Sequence, residues 1–483
     1  MMLKEMRDRR FLWVAVLLLL ASAKFLYPVF AFDLPLGYDP GIYRYLFLKY
    51  AQVFPSFSIP DLKPWAQEYP YGLFLFAAPL LKLGVPVSWF LGWIWSAMAV
   101  ALLALLAWVF ARREGMITGI LILLTGTLSI AFYDGFAAMY WKTFFSLFFL
   151  VLTFHFFERK SLWMMVPCGA LTFLSHNQTG LILGLALAAW WVLNVRSNWR
   201  DPLFRKWTIA FTVIAVLGLI WYAPIWYRAF WAPLKSVFLL RGEDAPSGEF
   251  REAIFYIRYA GILLAFGIAG FIANFRRERF TVWQLAVLVC AVFIVFKLVF
   301  YKRFFLQLDF FLLPFAAMGL KAAWERFSSP TGRAILVGLL VMQGWLSIQQ
   351  MLYWEPRYDA RILASIEGIP QIVEKDATVI ALENETAVWL LGWLPDLQTG
   401  GPGLFDEPAW TYQQWEELLY GTHVQRLALL DGMTRPLYFV ASPLFFSYYG
   451  DAVKGFLADS CLKKVEGTML LKVVCEPRKS SKP

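Results

Sequence analysis

Asp39 is an acidic residue in a polar loop that directly follows the first long apolar segment of the chain. It lies in the stretch Gly37-Tyr38-Asp39-Pro40-Gly41, and the second long apolar segment starts only near residue 88. A carboxylate at such a position could act as a general base, taking a proton from a hydroxyl as that hydroxyl attacks another molecule. Asp-Pro-Gly is also common turn chemistry, so a purely structural role is the alternative.

A second acid, Asp134, lies in Tyr133-Asp134-Gly135 at the end of the third apolar segment. The alternation of apolar segments predicts the same membrane face for Asp134 as for Asp39. Two acids from different loops could bind a divalent cation such as Mg²⁺ or Mn²⁺, or divide the roles of base and orienting group. A solvent-exposed loop aspartate is the alternative.

Three basic residues are predicted near the same face. Lys142 begins the fourth apolar segment, and the pair Lys302-Arg303 separates the ninth segment from the tenth. The planar guanidinium of Arg303 suits a phosphate group. Cations at the ends of membrane spans can also extend into the lipid headgroups, which is the alternative for Lys142.

Three further residues are candidates for substrate binding. His176 lies at the apex of the polar turn Ser175-His176-Asn177-Gln178-Thr179-Gly180, while Tyr43 and Arg44 follow shortly after Asp39. A single histidine is more often a structural hydrogen-bonding residue than a ligand. No Cys/His spacing in the sequence indicates a zinc site.

The composition is that of a membrane protein that crosses the bilayer many times. Of the 483 residues, 60% are apolar and only 16% are charged, whereas a soluble domain is nearer to half apolar and a quarter charged. The net charge of +10 comes from basic residues spread over short loops. That distribution is typical of membrane orientation signals. We therefore expect the lipid bilayer as a partner and no nucleic acid.

We predict an all-α polytopic membrane protein with about 11 transmembrane helices, beginning with an uncleaved signal anchor. Each span needs about 20 apolar residues to cross the hydrocarbon core. The apolar stretch 161–195 is too long for one span, so the polar turn at 175–180 divides it into a hairpin. The predicted spans are residues 11–30, 88–110, 116–132, 139–157, 161–175, 178–195, 207–227, 253–274, 281–300, 304–320 and 334–352.

The charges of the loops predict a plasma-membrane protein with its amino terminus in the cytoplasm. Loops on the predicted cytoplasmic side are basic, as the positive-inside rule requires. The prediction divides the chain into a transmembrane module, 1–352, and an extracytoplasmic domain, 353–483. The module includes the first external loop, 31–87, with an interfacial helix over 71–83. The predicted outer-loop acids are Asp33, Asp39, Asp61, Glu68, Asp134, Glu243, Asp244, Glu249 and Glu252.

The carboxy-terminal region has the pattern of a small α/β domain. Residues 377–382 and 437–441 are predicted as buried strands, and residues 408–419 as a helix. Residues 462–474 are predicted as a hairpin with a turn at Gly467, bracketed by Cys461 and Cys475. A disulfide between these cysteines and two free thiols are both compatible with the sequence.

Together these features resemble the GT-C superfamily of polytopic glycosyltransferases, which use polyprenyl-phosphate sugar donors. The likeness covers roughly residues 1–350 and is nearest to the branch of protein O-mannosyltransferases and lipid A aminoarabinose transferases. Asp39 matches the first-loop acid of that family and Asp134 the second-loop acid. The turn at His176 and the late basic residue Arg303 match two further family features.

The resemblance implies a hexosyltransferase-type enzyme that works on the extracytoplasmic face. Asp39 would deprotonate a hydroxyl of a lipid, glycan or protein acceptor, and the sugar would leave a polyprenyl phosphate with inversion. Arg303, assisted by Lys142 or Lys302, would bind the donor phosphate. A non-catalytic flippase or transporter of lipid-linked sugars is the alternative, because it would use the same cations without a base. A structural subunit of a surface assembly is a third hypothesis.

Overall fold

The structure is a computed structural model and describes residues 2–56, 58–223, 250–277, 280–403 and 407–475, with single positions at 227, 231 and 235. The predicted outer-loop acids Glu243, Asp244 and Glu249, and residues 224–226 of the predicted seventh span, lie outside the described residues. The chain forms two compact units. Unit 1 comprises Met1–Ala31, Pro70–Leu73 and Gly92–Glu355, and unit 2 comprises Phe32–Tyr69, Phe74–Leu91 and Pro356–Pro483.

The described residues are mostly helical, with five short strands near the carboxy terminus. The helices up to residue 222 are α1 Met2–Ala31, α2 Pro40–Val53, α3 Gly72–Lys82, α4 Val87–Leu91, α5 Trp93–Glu114, α6 Met116–Leu128, α7 Ile130–Ala137, α8 Trp141–Glu158, α9 Leu162–Ser175, α10 Asn177–Asn198 and α11 Pro202–Tyr222. The later helices are α12 Ala253–Tyr259, α13 Gly261–Arg277, α14 Val282–Val295, α15 Phe304–Arg326, α16 Pro330–Tyr353, α17 Ala360–Glu367, α18 Asn384–Trp393, α19 Tyr412–Tyr420, α20 His423–Asp431, α21 Pro443–Tyr449 and α22 Lys454–Leu457. The strands are β1 Thr378–Ala381, β2 Gln398–Gly400, β3 Leu437–Val440, β4 Leu462–Lys464 and β5 Leu470–Val473.

Each of the eleven predicted spans coincides with a helix or with a bent pair of helices. In the part of the chain that the structure describes, six helices are long and apolar enough to cross a membrane, and two bent pairs raise that number to eight. The pairs are α6 with α7, bent by 57°, and α12 with α13, bent by 92°. The other three predicted spans coincide with α8, α9 and α14, so the polytopic helical fold is confirmed while the count of eleven stays a prediction.

The break between α6 and α7 is held by a lysine from another helix. The ammonium of Lys24 in α1 donates hydrogen bonds to Thr127 O at 2.7 Å, to Ser129 O at 3.2 Å and to Ser347 Oγ at 2.7 Å. Inside a bilayer, carbonyls freed by a helix break must find donors within the protein, because no water is present. Lys24 therefore joins α1, the break and α16.

A carboxylate on α15 completes this arrangement. The Ser129 hydroxyl caps α7 by accepting a hydrogen bond from Phe132 N at 3.0 Å, and it donates to Asp309 Oδ2 at 2.6 Å. Asp309 and Asp134 both attract the Lys24 ammonium electrostatically. Charges within spans are costly unless they are paired, so these groups stabilise the bend as a set.

Unit 2 contains one five-stranded sheet in the order β2-β1-β3-β5-β4. Strands β2, β1 and β3 are parallel, while β5 pairs antiparallel with both β3 and β4. The sheet forms the core with the helices packed on it, through Ile380, Leu418, Phe439, Phe445 and Leu471 among others. The predicted strands at 377–382 and 437–441 correspond to β1 and β3, and the predicted closing hairpin corresponds to β4 and β5. Strand β2 was not predicted.

Three details of this domain add to the predictions made from the sequence or differ from them. The predicted helix 408–419 begins only at Tyr412, because Thr411 and Gln414 form a capping box there. Cys461 and Cys475 form a disulfide with 4.8 Å between their Cα atoms. At the end of β1, Glu383 is buried and caps α18, accepting hydrogen bonds from Thr386 N and Glu385 N. Burial raises the pKa of Glu383, and these hydrogen bonds act in the opposite direction.

Most of the segment 31–87, predicted as the first external loop, lies in the same compact unit as the carboxy-terminal region. The reason is a close contact between two helices of unit 2. The Cα of Gly41 in α2 lies against Gly392 of α18, and a Cβ at residue 41 would overlap the Val388 carbonyl. Only glycine permits this approach, which fixes the start of α2 and therefore the position of Asp39.

Replacing Lys24 by methionine keeps the length of the side chain and removes its three hydrogen bonds. We expect the free energy of unfolding to fall by about 2–4 kcal/mol, because buried carbonyls lose their donor and Asp309 loses an opposite charge. Thermal unfolding of the purified protein in detergent measures this as a lower Tm. Lys321→Met, at a half-exposed position of α15, is the matched control. Equal Tm values for the two variants would contradict the role of Lys24.

Replacing Gly41 by alanine introduces a methyl group where the Val388 carbonyl lies. We expect a loss of about 1–3 kcal/mol of stability, because α2 must move away from α18. The measurement is again the Tm in detergent. Gly338→Ala is the control, because a Cβ at that helical position meets no atom within 4 Å. A Gly41→Ala variant as stable as this control would refute the close contact.

Candidate functional site

Three helices of unit 1 begin beside predicted functional residues. Lys142 lies in the first turn of α8, His176 is the N-cap of α10, and Arg303 is the N-cap of α15. The N-terminus of a helix carries a partial positive charge and unpaired backbone N–H groups. Such ends are suited to bind phosphate, and the charged side chains of Lys142 and Arg303 add to the same sign of charge. The His176 side chain instead caps α10 by accepting a hydrogen bond from Thr179 N.

Electrostatic interactions and hydrogen bonds indicate that these residues lie near one another. Lys142 and Arg303 both lie close enough to His176 to act on it electrostatically. His176 Nδ1 is 2.9 Å from Thr179 Oγ1, and Gln307 Nε2 donates to that hydroxyl at 3.3 Å. The structure therefore brings together three of the predicted site residues, which we call the cationic cluster: Lys142, His176 and Arg303.

Lys302 lies beside the cationic cluster and is already paired. Its ammonium is 2.6 Å from Glu252 Oε1. The Arg303 guanidinium lies over two aromatic rings, 5.8 Å from the centre of Tyr140 and 5.3 Å from the centre of Phe300. Phe300 has a φ of 55°, a left-handed conformation that is unfavourable for a phenylalanine and persists only where the surroundings fix it.

Asp134 is not the solvent-exposed loop residue that was the alternative hypothesis. It lies within α7, and only 1% of its surface is exposed. Its Oδ1 accepts hydrogen bonds from Gln350 Nε2 at 2.6 Å and from Trp354 Nε1 at 2.8 Å. Its Oδ2 accepts one from Tyr256 at 2.9 Å, with Arg251 Nε at 3.7 Å. None of these four partners was predicted from the sequence.

The surroundings of Asp134 do not favour a metal ion. Both carboxylate oxygens already accept hydrogen bonds, and a cation would have to displace those donors. Among the described residues, one group of three potential ligands lies close together, at His423, Asp459 and Cys461. The sulfur of Cys461 belongs to the disulfide, so that group does not fit a metal site either.

Asp39 is the N-cap residue of α2 in unit 2. It is half-buried, and its side chain makes no capping hydrogen bond to the helix. The neighbouring Tyr38 hydroxyl donates to Asn384 O at 3.4 Å, at the start of α18. The positive end of α2 stabilises an ionised carboxylate at this position. Asp39 thus lies at the start of a helix whose position is fixed by the contact between Gly41 and α18.

Tyr43 and Arg44 both serve the packing of α2. Tyr43 is 2% exposed, and its ring lies 6.3 Å from those of Phe47 and Phe74. Arg44 Nη1 donates a hydrogen bond to Gly392 O, and its guanidinium lies 5.2 Å from the centre of the Trp393 ring. Burial lowers the pKa of Arg44. Their roles in substrate binding stay predictions.

Lys24 and Asp309 were missed by the sequence analysis. Both are charged residues inside apolar segments, at positions where a charge usually marks a functional or structural site. That rule, applied to every span, would have found them. Their partners, which are backbone carbonyls and serines at a helix break, depend on the fold and carry no sequence signal.

No protein-family model and no curated protein matches this sequence. Solved structures do match. The oligosaccharyltransferase of Archaeoglobus fulgidus, in a complex with Zn and sulfate, has a TM-score of 0.62 and 13% identity, covering 90% of this chain and 69% of that one. ArnT from Cupriavidus metallidurans in the apo state has a TM-score of 0.58 and 12% identity, covering 97% and 98%.

A second structure of ArnT from Cupriavidus metallidurans, bound to undecaprenyl phosphate, has a TM-score of 0.53 and 14% identity, covering 96% of this chain and 97% of that one. At these identities the likeness concerns the fold and not the activity. It extends over almost the whole chain, including the carboxy-terminal α/β region. The chain therefore has the fold that these solved structures of an oligosaccharyltransferase and of ArnT share.

Proposed function

We propose that this protein is a membrane glycosyltransferase that moves a hexose from a polyprenyl phosphate to an acceptor hydroxyl on the extracytoplasmic face. The observation that carries the proposal is the cationic cluster, where Lys142 and Arg303, at the starts of two helices, act electrostatically on His176 at the start of a third. This is the chemistry of a phosphate site. A lipid phosphate is the form of phosphate that a membrane-spanning unit can hold beside its lipid tail.

The reaction needs one base and one cationic site. Asp39 takes the proton of the acceptor hydroxyl while the hydroxyl oxygen attacks the anomeric carbon of the donor. The bond between that carbon and the phosphate oxygen breaks, and its electron pair leaves with the phosphate. The leaving phosphate needs no proton, because Lys142 and Arg303 stabilise the charge that it gains. A single displacement inverts the anomeric configuration.

The structural neighbours support a lipid-linked donor. One is an oligosaccharyltransferase, and another was crystallised with undecaprenyl phosphate. The proposed reaction uses no metal ion, and a divalent cation stays a prediction that the hydrogen bonds of Asp134 do not favour. The plasma-membrane location and the cytoplasmic amino terminus also remain proposals, supported by the distribution of loop charges.

A flippase or transporter of lipid-linked sugars is the second candidate, because such proteins carry charges inside their spans. Lys24 and Asp309 are charges of this kind. Their polar atoms are engaged by the helix break and by two serines, which explains their presence without a transport path. The transferase is therefore the better supported function.

Asp39→Asn removes the base and keeps the size of the side chain. We expect sugar transfer to fall by about 10²–10⁴-fold, because the acceptor hydroxyl keeps its proton. Release of labelled hexose from a polyprenyl-phosphate hexose, by the protein reconstituted in vesicles, measures the effect with and without alcohols as acceptors. Asp33→Asn, an exposed acid of the same loop, is the control. Full activity of Asp39→Asn would remove Asp39 from the reaction.

Arg303→Ala removes the guanidinium of the cationic cluster. We expect the Kd for a polyprenyl-phosphate hexose to rise by about 10–100-fold, because charge-assisted hydrogen bonds to phosphate are lost. Binding to the protein in nanodiscs can be measured by microscale thermophoresis. Arg326→Ala, at the exposed other end of α15, is the control. An unchanged Kd for Arg303→Ala would place the phosphate elsewhere.

A further inference from the structure

We infer that Asp134 is a positioning residue that acts on the donor site through the segment 250–256, and not a second catalytic acid or a metal ligand. The inference rests on the proposed function and deepens it. It starts from the hydrogen bonds of Asp134, which come from two regions distant in sequence. Gln350 and Trp354 belong to the end of α16 and the residues after it, while Tyr256 belongs to α12. Arg251, just before α12, adds an ion pair to the same carboxylate.

An aromatic path leads from Asp134 to Arg303. Tyr256 donates its hydroxyl to Asp134 Oδ2, and its ring stacks on Phe250 with 5.5 Å between the ring centres. Phe250 stacks in turn on Tyr140 at 5.7 Å, and the Arg303 guanidinium lies 5.8 Å from the centre of the Tyr140 ring. Each step is a direct contact between side chains of unit 1.

A second path runs along the backbone of the same segment. Glu252 lies between Phe250 and Tyr256 and binds the Lys302 ammonium at 2.6 Å. The ring of Tyr256 also lies 5.6 Å from that of Phe305, two residues after Arg303. The segment 250–256 thus contacts Lys302 and Phe305, on either side of Arg303 in the sequence. The left-handed Phe300 just before this pair indicates a backbone that its neighbours must fix.

Loss of this support is expected to affect donor binding. If the hydrogen bond from Tyr256 to Asp134 is lost, the segment is held less firmly, and Arg303 loses part of its support. Donor binding then weakens, because Arg303 binds the donor phosphate before the transfer as well as during it. An interaction lost equally from both states raises KM and leaves kcat unchanged. A second catalytic acid or a metal ligand would behave in the opposite way, because its loss lowers kcat with little effect on donor binding.

The experiment measures kcat and the donor KM for release of labelled hexose from a polyprenyl-phosphate hexose, using full-length protein in vesicles. Tyr256→Phe removes only the hydroxyl and is expected to raise the donor KM about 5–10-fold, with kcat within about two-fold of the starting value. Tyr259→Phe, one turn further along α12, is the matched control with unchanged values. Asp134→Asn combined with Tyr256→Phe should raise KM no further than Asp134→Asn alone, because both act through one hydrogen bond.

Three results would overturn the inference. One is a Tyr256→Phe variant with the KM of the control. Another is additive effects of the two substitutions. The third is an Asp134→Asn variant that loses kcat at unchanged KM, which would indicate a catalytic acid or a metal ligand. If Asp134→Asn does not fold, Tyr256→Phe alone decides.

Failure of the proposed function has a different signature. If the unmodified protein releases no hexose, the transferase proposal fails. The positioning claim is then decided by binding of a polyprenyl monophosphate alone. A Kd raised about 5–10-fold in Tyr256→Phe supports it, and an equal Kd in Tyr256→Phe and Tyr259→Phe refutes it.

Discussion

Polar groups inside a membrane-spanning unit must form their hydrogen bonds within the protein. The break between α6 and α7 frees backbone carbonyls, so the need for hydrogen-bond donors is greatest there. Lys24 meets it by binding two carbonyls at the break, with Ser129 and Asp309 beside it. The break creates α7, and α7 places Asp134 among three hydrogen-bond donors, with the Arg251 guanidinium nearby. One of those donors, Tyr256, belongs to the segment that binds Lys302 through Glu252 and packs on the Tyr140 ring beside Arg303. Much of the candidate donor site therefore depends on one buried lysine.

The proposed base is supported by a different kind of contact. Gly41 lets α2 approach α18 so closely that the two backbones touch, and Arg44 adds a hydrogen bond to Gly392 across that contact. A small α/β region at the end of the chain thereby fixes a loop near its beginning. This gives the carboxy-terminal region a role in positioning Asp39, whatever it does in binding an acceptor.

The helices could be predicted from the sequence, because a span of apolar residues and its flanking charges are local signals. The closing hairpin of unit 2 was also predictable, since Cys461 and Cys475 bracket it. Strand β2 was not predictable, because three residues at the edge of a sheet are too few to show a strand's alternation of side chains. The cationic cluster followed from charges at the ends of predicted spans. The sequence did not predict the partners of Asp134 or the grouping of the first loop with unit 2. Both depend on contacts between residues more than a hundred positions apart.

The most direct test of this account is a cryo-EM structure of the protein in nanodiscs with a bound polyprenyl monophosphate. We expect phosphate density at the starts of α8, α10 and α15, within hydrogen-bond distance of Arg303 and Lys142. Phosphate density beside Lys24 and Asp309, with none at those three helix starts, would contradict it and favour a transport path through the spans.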